Sequence, residues 1–282
     1  MPPESDGPSY AALVALAREV ATEAAALVVE RRRGTVTVAA TKSSPVDVVT
    51  EADRASEDLI RRRLLDARPG DGFLGEEGDP VAAHARPGAA PGVTWVVDPI
   101  DGTVNFLYGL PHYSVSIAAR VGESVVAGVV LDVTSGECFT ATLGGGAFCD
   151  GEPIHVRAEV PLAERLVATG FNYRRELRAA QAQAMTYLLP RLRDIRRQGS
   201  AALDLCAVAA GRVDGYVEEG LFAWDLAAGG LVATEAGARL ETPPGVGGGE
   251  CVLCAPADGF DALAALVAES GLLWEQNPSA GR

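Results

Sequence analysis

The string from Val96 to Phe106, VVDPIDGTVNF, sets two carboxylates, Asp98 and Asp101, at the end of an apolar run and follows them with a glycine and a threonine. Gly102 permits close backbone approach, and Thr103 can open a short helix whose free N–H groups attract an anion. Two acids beside an anion repel each other and the anion. A divalent cation resolves that conflict, so the string suggests a metal and a phosphate held together. Taken alone, DxxDG is also read as a capped turn, because Asp and Gly are residues that turns favour.

Hydrophobic periodicity outlines the strands and helices around these groups. Val93 to Val97 is β-branched and aromatic, as a buried strand is, with Asp98 to Asp101 expected where that strand meets solvent and Pro99 ending its ladder. Tyr10 to Arg33 carries Leu13, Leu16, Val20, Ala24 and Leu27 at helical spacing and closes on three arginines before Gly34, which predicts a scaffold helix. Thr35 to Val49 reads as irregular or hairpin-like. Thr50 caps a second helix through Asp66, with Ala55, Leu59, Ile60 and Leu64 inward and Asp53 in its first turn. Phe73 and Leu74 lead into Gly75, Glu76 and Glu77, and Asp79 to Gly92 has the composition of an exposed loop.

Downstream, Tyr113–Ala119, Val125–Asp132 and Glu137–Thr142 predict consecutive antiparallel strands that complete the sheet begun at Val93. From Leu166 the rhythm becomes α/β: the strand LVATGF, a helix near Arg175 to Leu189, the strand IRRQG, a helix from Ser200, the strand GYVEEG and a helix beginning near Asp225.

Composition narrows the partners. The 282 residues suffice for one large domain or two tightly joined halves. With 24 basic and 38 acidic residues the formal charge is -14, which disfavours nucleic acid and anionic membrane. Bound cations would reverse the sign locally and let a phosphate approach. Met1 to Gly7 lacks a signal pattern and no apolar stretch is long enough to span a bilayer, so a cytoplasmic location is expected. Five cysteines, Cys138, Cys149, Cys206, Cys251 and Cys254, fit reduced thiols, and the CxxC of GECVLCAP reads as part of a buried strand rather than a zinc site. Lys42 is the single lysine among the basic residues. It is either a surface cation or a compact ammonium placed near a metal or phosphate.

The DPIDGTVNF string closely resembles the signature of the inositol monophosphatase family, within the wider group that includes fructose bisphosphatases and 3'-nucleotidases acting on phosphoadenosine phosphate. Further blocks are similar to the family's and stand in family order: Lys42–Asp53 (KSSPVDVVTEAD), Gly75–Glu77 (GEE), Gly199–Cys206 (GSAALDLC) and Trp224–Gly237 (WDLAAGGLVATEAG). The resemblance implies an α/β fold of five layers, α-β-α-β-α, with two sheets and the site between the halves. We place an N-terminal half at residues 1–155 and a C-terminal half at 156–282, joined near Gly151 to Pro161.

The same resemblance implies that Glu76, Asp98 and the carbonyl of Ile100 hold one Mg2+, that Asp98, Asp101 and Asp225 hold a second, and that Glu76 serves a weaker third. Magnesium suits hard oxygen donors better than zinc does, and His84, His112 and His155 fall outside every block. By resemblance, Asp53 and Thr103 orient and deprotonate the attacking water, while the N–H groups of Gly102 and Thr103 hold a phosphate oxygen and Lys42 adds positive charge; Glu77, the acid adjacent to Glu76, is assigned to ordering the metal shell from behind it. Gly199, Ser200 and Ala201 match a family loop at a helix start that meets substrate, together with Asp101 and Asp225. Glu218 matches the acid that contacts substrate hydroxyls, although Glu218 and Glu219 could both face solvent. Phe222 departs from the more polar residue often found there, and Trp224 reads as a packing residue.

The function expected from this resemblance is Mg2+-dependent, lithium-sensitive hydrolysis of myo-inositol 1-phosphate by a homodimer. A histidinol-phosphate phosphatase would share the metal blocks. Fructose bisphosphate and phosphoadenosine phosphate fit less well, because no basic pocket for a second phosphate is evident between Gly199 and Trp224. A regulatory protein that keeps the fold and binds a macromolecular partner is the reading from another class, and the intact acid set argues against complete loss of catalysis.

Overall fold

The β-branched run at Val93 becomes the strand around which the other layers are arranged. The computed structural model describes residues 9–34, 36, 38–41, 48–83 and 92–274. Lys42, with the segment 42–47 of its block, and His84, in the 79–92 loop, lie outside the described residues.

The first part of the chain forms α1 (Tyr10–Arg33), β1 (Val38–Thr41), β2 (Val48–Thr50), α2 (Glu51–Ala67), β3 (Gly72–Gly75), β4 (Val93–Asp101), α3 (Thr103–Tyr108), β5 (Ser114–Val121), β6 (Ser124–Asp132), β7 (Cys138–Thr142), β8 (Gly146–Cys149) and β9 (Glu152–Pro153). The second forms β10 (Leu166–Thr169), α4 (Arg175–Leu188), β11 (Asp194–Arg196), α5 (Ala201–Ala209), β12 (Gly215–Glu219), α6 (Ala223–Glu235), β13 (Ala238–Glu241), β14 (Cys251–Pro256) and α7 (Phe260–Glu269). Strands β3 to β9 make a seven-stranded sheet in sequence order, and a five-stranded sheet runs β11-β10-β12-β14-β13. β3 is parallel to β4, and the later pairs of the larger sheet are antiparallel.

Side-chain alternation assigns the layers. Trp95 and Val97 of β4 pack with Ile117 and Val129 against Leu13, Val20 and Ala24 of α1 and Ile60 of α2. Val96 turns the other way, with Ala118 and Val130, onto Ala202 and Leu205 of α5 and Ala228 and Val232 of α6. Tyr216 and Cys254 of the smaller sheet close that middle layer from the far side, while Val217 and Leu253 face Ala184 of α4 and Leu263 of α7. The result is five layers, α-β-α-β-α, as the resemblance implied. Both faces of β4 are covered, which is why its stretch Trp95–Val97 is continuously apolar instead of alternating.

One local expectation is corrected. β4 does not stop at Val97; it continues through Asp101, with a register shift against β5 between Asp98 and Asp101. A bulge accommodates Pro99, which has no N–H to give the ladder. Asp98 and Asp101 are 2% and 7% exposed, inside the molecule and not at the solvent edge, because the middle helices cover this end of the strand. All five cysteines are free, and burial pushes the thiols of Cys251 and Cys254 on β14 up to about 12, which keeps them unreactive. Among the described residues no helix is long and apolar enough to cross a membrane.

Candidate active site

The inward stripe of α2 is polar at its start. Asp53, Ser56 and Glu57 are buried and continue the stripe that ends in Ile60 and Leu64. Thr50 caps the helix, with Oγ1 accepting from the N–H groups of Ala52 and Asp53. Its own N–H and hydroxyl donate to Asp53 Oδ2 at 2.8 and 2.5 Å. The other carboxylate oxygen of Asp53 accepts from Thr103 Oγ1 at 2.9 Å. Thr103 Oγ1 is also 3.0 Å from the Ile100 carbonyl, and one hydroxyl hydrogen is shared between these two acceptors. Further along, Ser56 Oγ donates to the Pro99 carbonyl at 3.2 Å. Glu57 Oε2 accepts from the Glu77 N–H at 2.7 Å while Oε1 pairs with Arg61 at 2.9 Å. α2 thus fixes Thr103, the Asp98–Asp101 bulge and the turn that carries Glu76.

The acids themselves come from two elements, β4 and α6. Asp98 Oδ1 accepts from the Ile100 N–H at 3.0 Å within the bulge. Asp101 faces the start of α5, where Ser200 Oγ, the Ala202 N–H and the Ala201 N–H reach it at 2.5, 2.8 and 3.2 Å. These amides have no partner inside the helix, so a carboxylate there satisfies them. Asp225 lies in the first turn of α6 and accepts from the Phe222 N–H at 2.7 Å.

Carboxylate oxygens of Asp98, Asp101 and Asp225 lie within 4.8 Å of one another. Burial, and then the charges of Glu76, Asp101 and Asp225, raises the Asp98 carboxyl well above its ordinary range. Asp225 is raised by burial and by Asp101. Asp101 is raised by burial against the lowering effect of Ser200 and the two amides. Such a set is stable as anions only with a cation among them, and its hard oxygen donors fit a magnesium-like ion better than a soft one.

The acids line a cavity of about 440 Å3 with Glu76, Ile100, Gly102, Thr103, Gly199, Ala201 and Glu218. Gly102 and Gly199 have φ of 99° and 93°, and a Cβ on Gly102 would meet the Gly199 carbonyl at 3.1 Å, so the two loops meet backbone to backbone. Asn105 ties them, donating to the carbonyls of His112 and Gln198 at 2.7 Å each. Glu218 sits on the inner face of β12, where the Tyr216 hydroxyl donates to it at 2.7 Å and burial pushes its carboxyl up to about 7. Glu219 points to the opposite face, buried, accepting from the Gly247 N–H at 2.6 Å. Neither faces open solvent.

Of the residues singled out in the sequence, Asp53 and Ser200 stand behind the cavity wall, bonded to Thr103 and Asp101. Glu77 docks by its backbone on Glu57, and Lys42 lies outside the described residues. Sequence reasoning missed Ser56, Glu57 and Asn105; polar side chains on an otherwise inward helical stripe were the available signal for the first two. It also missed Arg174 and Arg197. Both line the cavity. The wall is therefore more basic than the segment from Gly199 to Trp224 suggested, because the fold brings arginines from outside it. Trp224 lines the cavity as well as packing.

Comparison with known proteins agrees with this geometry. The model of the inositol monophosphatase family matches residues 9–276. Inositol-1-monophosphatase SuhB of Mycobacterium tuberculosis is 46% identical over 279 residues, 93% of this chain and 96% of that protein. Nus factor SuhB of Pasteurella multocida is 44% identical over 198 residues, 70% of this chain and 72% of that one. The solved structure of Mycobacterium tuberculosis SuhB has a TM-score of 0.79 at 42% identity, covering 95% of this chain and 100% of that chain. Acids gathered from β4 and α6, in a five-layer fold matched along nearly its whole length, place this chain in the inositol monophosphatase family.

Proposed function

We propose that the protein is a Mg2+-dependent phosphomonoesterase that hydrolyses myo-inositol 1-phosphate to inositol and phosphate. The observation that carries this reading is the convergence of Asp98, Asp101 and Asp225 oxygens within 4.8 Å beside the Asp53–Thr103 pair. Glu76, Asp98 and the Ile100 carbonyl would hold one ion, Asp98, Asp101 and Asp225 a second, with Glu76 serving a weaker third. Bound there, magnesium neutralises the phosphoryl charge, makes water nucleophilic at neutral pH and stabilises the departing alkoxide.

The chain does the rest. Thr103, held by Asp53, orients the attacking water and passes its proton toward the carboxylate. The N–H groups of Gly102 and Thr103 hold a phosphate oxygen, and Lys42 adds positive charge. Glu218, poised near neutrality, bonds hydroxyls of the leaving polyol, while Ser200 and the first amides of α5 keep Asp101 in place. Lithium inhibition, a homodimer and a cytoplasmic location belong to the same reading.

Phosphate release with Mg2+ from inositol 1-phosphate, histidinol phosphate and fructose 1,6-bisphosphate tests it. Preference for inositol 1-phosphate is expected, and preference for histidinol phosphate would replace the substrate. The name of the Pasteurella multocida relative favours a second reading, a regulatory protein that docks on a partner. Asp98→Asn separates the two: a variant that loses phosphate release yet keeps its cellular role assigns the principal function to docking.

A further inference from the structure

Four of the twenty residues that line the cavity, Phe171, Tyr173, Phe222 and Trp224, are aromatic, in a chain that is only 6% aromatic. They come from the loop before α4 and from the start of α6. Phe222 is 61% exposed, an apolar ring held in water beside a site built of carboxylates. Its backbone is fixed, because the Phe222 N–H donates to Asp225 Oδ2 at 2.7 Å. Its ring stacks on Trp224 with centroids 5.0 Å apart and planes inclined by 20°. The Trp224 indole Nε1 is shut from solvent with no acceptor among the described residues, so packing alone holds that ring.

A phenyl ring gives a polyol no hydrogen bond, yet a stacked pair displayed at a fixed angle suits a flat π-system. The cavity, about 440 Å3, falls in the range of about 300–1,000 Å3 that accommodates drug-sized ligands. Resting on the phosphatase reading above, we propose that Phe222 and Trp224 form a specificity platform that extends this site to phosphomonoesters whose alcohol carries a flat aromatic or heteroaromatic ring. That ring lies against Phe222 while the phosphate sits at Asp98, Asp101 and Asp225. The bond cleaved is the same one: water attacks phosphorus, the ester P–O bond breaks, and the aromatic alcohol leaves with a proton.

The test compares benzyl phosphate with cyclohexylmethyl phosphate, whose alcohols are close in size and differ in ring flatness, with inositol 1-phosphate as the reference, on the Mg2+-loaded enzyme. The kcat/KM ratio of benzyl to cyclohexylmethyl ester should be about fivefold in the native protein, the scale of one aromatic pair. It should fall to near one in Phe222→Ala and be kept in Phe222→Tyr. Release from inositol 1-phosphate with a native ratio near one, or a ratio that survives Phe222→Ala, overturns the platform alone. Equal loss on all esters in Phe222→Ala, with a smaller sedimenting species, assigns Phe222 to a subunit contact and also overturns it. No release from any ester overturns the phosphatase reading as well.

Discussion

Ser200 Oγ lies 2.5 Å from Asp101 Oδ2, a bond between residues 99 apart in sequence that locks the first turn of α5 onto the bulged end of β4. The same Ser200 oxygen accepts from the Leu203 N–H, so one hydroxyl caps the helix and fixes the acid. Ser200→Ala should lower unfolding stability by about 0.5–2 kcal/mol, the cost of losing a helix cap. It should also weaken Mg2+ binding about tenfold, since an acid freed from its partner no longer points at the ion. Denaturant unfolding and a Mg2+ titration by thermal shift measure the two effects separately.

Asp53 and Thr103 act on the proton of the attacking water in this account, and neither closes the acid cluster. Thr103→Ala and Asp53→Asn should each lower kcat by about 10²–10⁴-fold. The thermal stabilisation given by Mg2+ should persist in both. If that stabilisation disappears together with activity, these residues serve the metal and not the water.

Glu57 reaches the site through the Glu77 N–H, in the turn that carries Glu76. Glu57→Ala removes the acceptor of the Glu77 N–H and the partner of Arg61. Mg2+ affinity should fall about 10–100-fold, as for other outer partners of metal ligands. Asp58→Ala, on the exposed side of the same helix, is the control and should bind Mg2+ normally.

Burial holds Asp98 and Asp225 above the ordinary carboxylate range and pushes Glu218 from 4.5 to about 7. The metal-free native state therefore binds more protons than the unfolded chain as pH rises through this window. The contribution of these groups to stability is fully present below the unfolded carboxyl value and is lost as pH climbs past about 7. Mg2+ competes with those protons, so its stabilisation grows with pH. Melting curves with chelator at about pH 5 and about pH 8 should show the lower midpoint at the higher pH, and the Mg2+ shift should be the larger one there. A Mg2+ shift independent of pH would contradict the account.

Much of this site was legible because its signals were local. Asp98, Asp101, Gly102 and Thr103 are contiguous, Thr50 announces α2 by its capping pattern, and the strands β5 to β7 alternate or run apolar between turns. What was hidden depends on tertiary contact. Hydrophobic periodicity marks Ile60 and Leu64 as inward but is silent about Asp53, Ser56 and Glu57, which share that stripe because they have buried partners. Pro99 looked like the end of a strand because a bulge cannot be distinguished from a stop without its neighbour β5. Arg174 and Arg197 reach the cavity from the loops before α4 and α5, so no window around Glu218 or Trp224 contains them. The short strands β8, β9 and β13 carry too few residues for a period to show.

Phosphate release from myo-inositol 1-phosphate by metal-stripped protein titrated with Mg2+, native chain against Asp98→Asn, asks whether the buried carboxylates around Asp98 bring magnesium and a phosphate monoester together. No release is expected in chelator, with saturable release as Mg2+ is added and a kcat at least about 10³-fold lower in Asp98→Asn, whose chelated form melts at a higher temperature because the cost of burying or protonating that carboxyl is gone. Release that continues in chelator, or an Asp98→Asn protein that turns over like the native one, would contradict that role of the carboxylates.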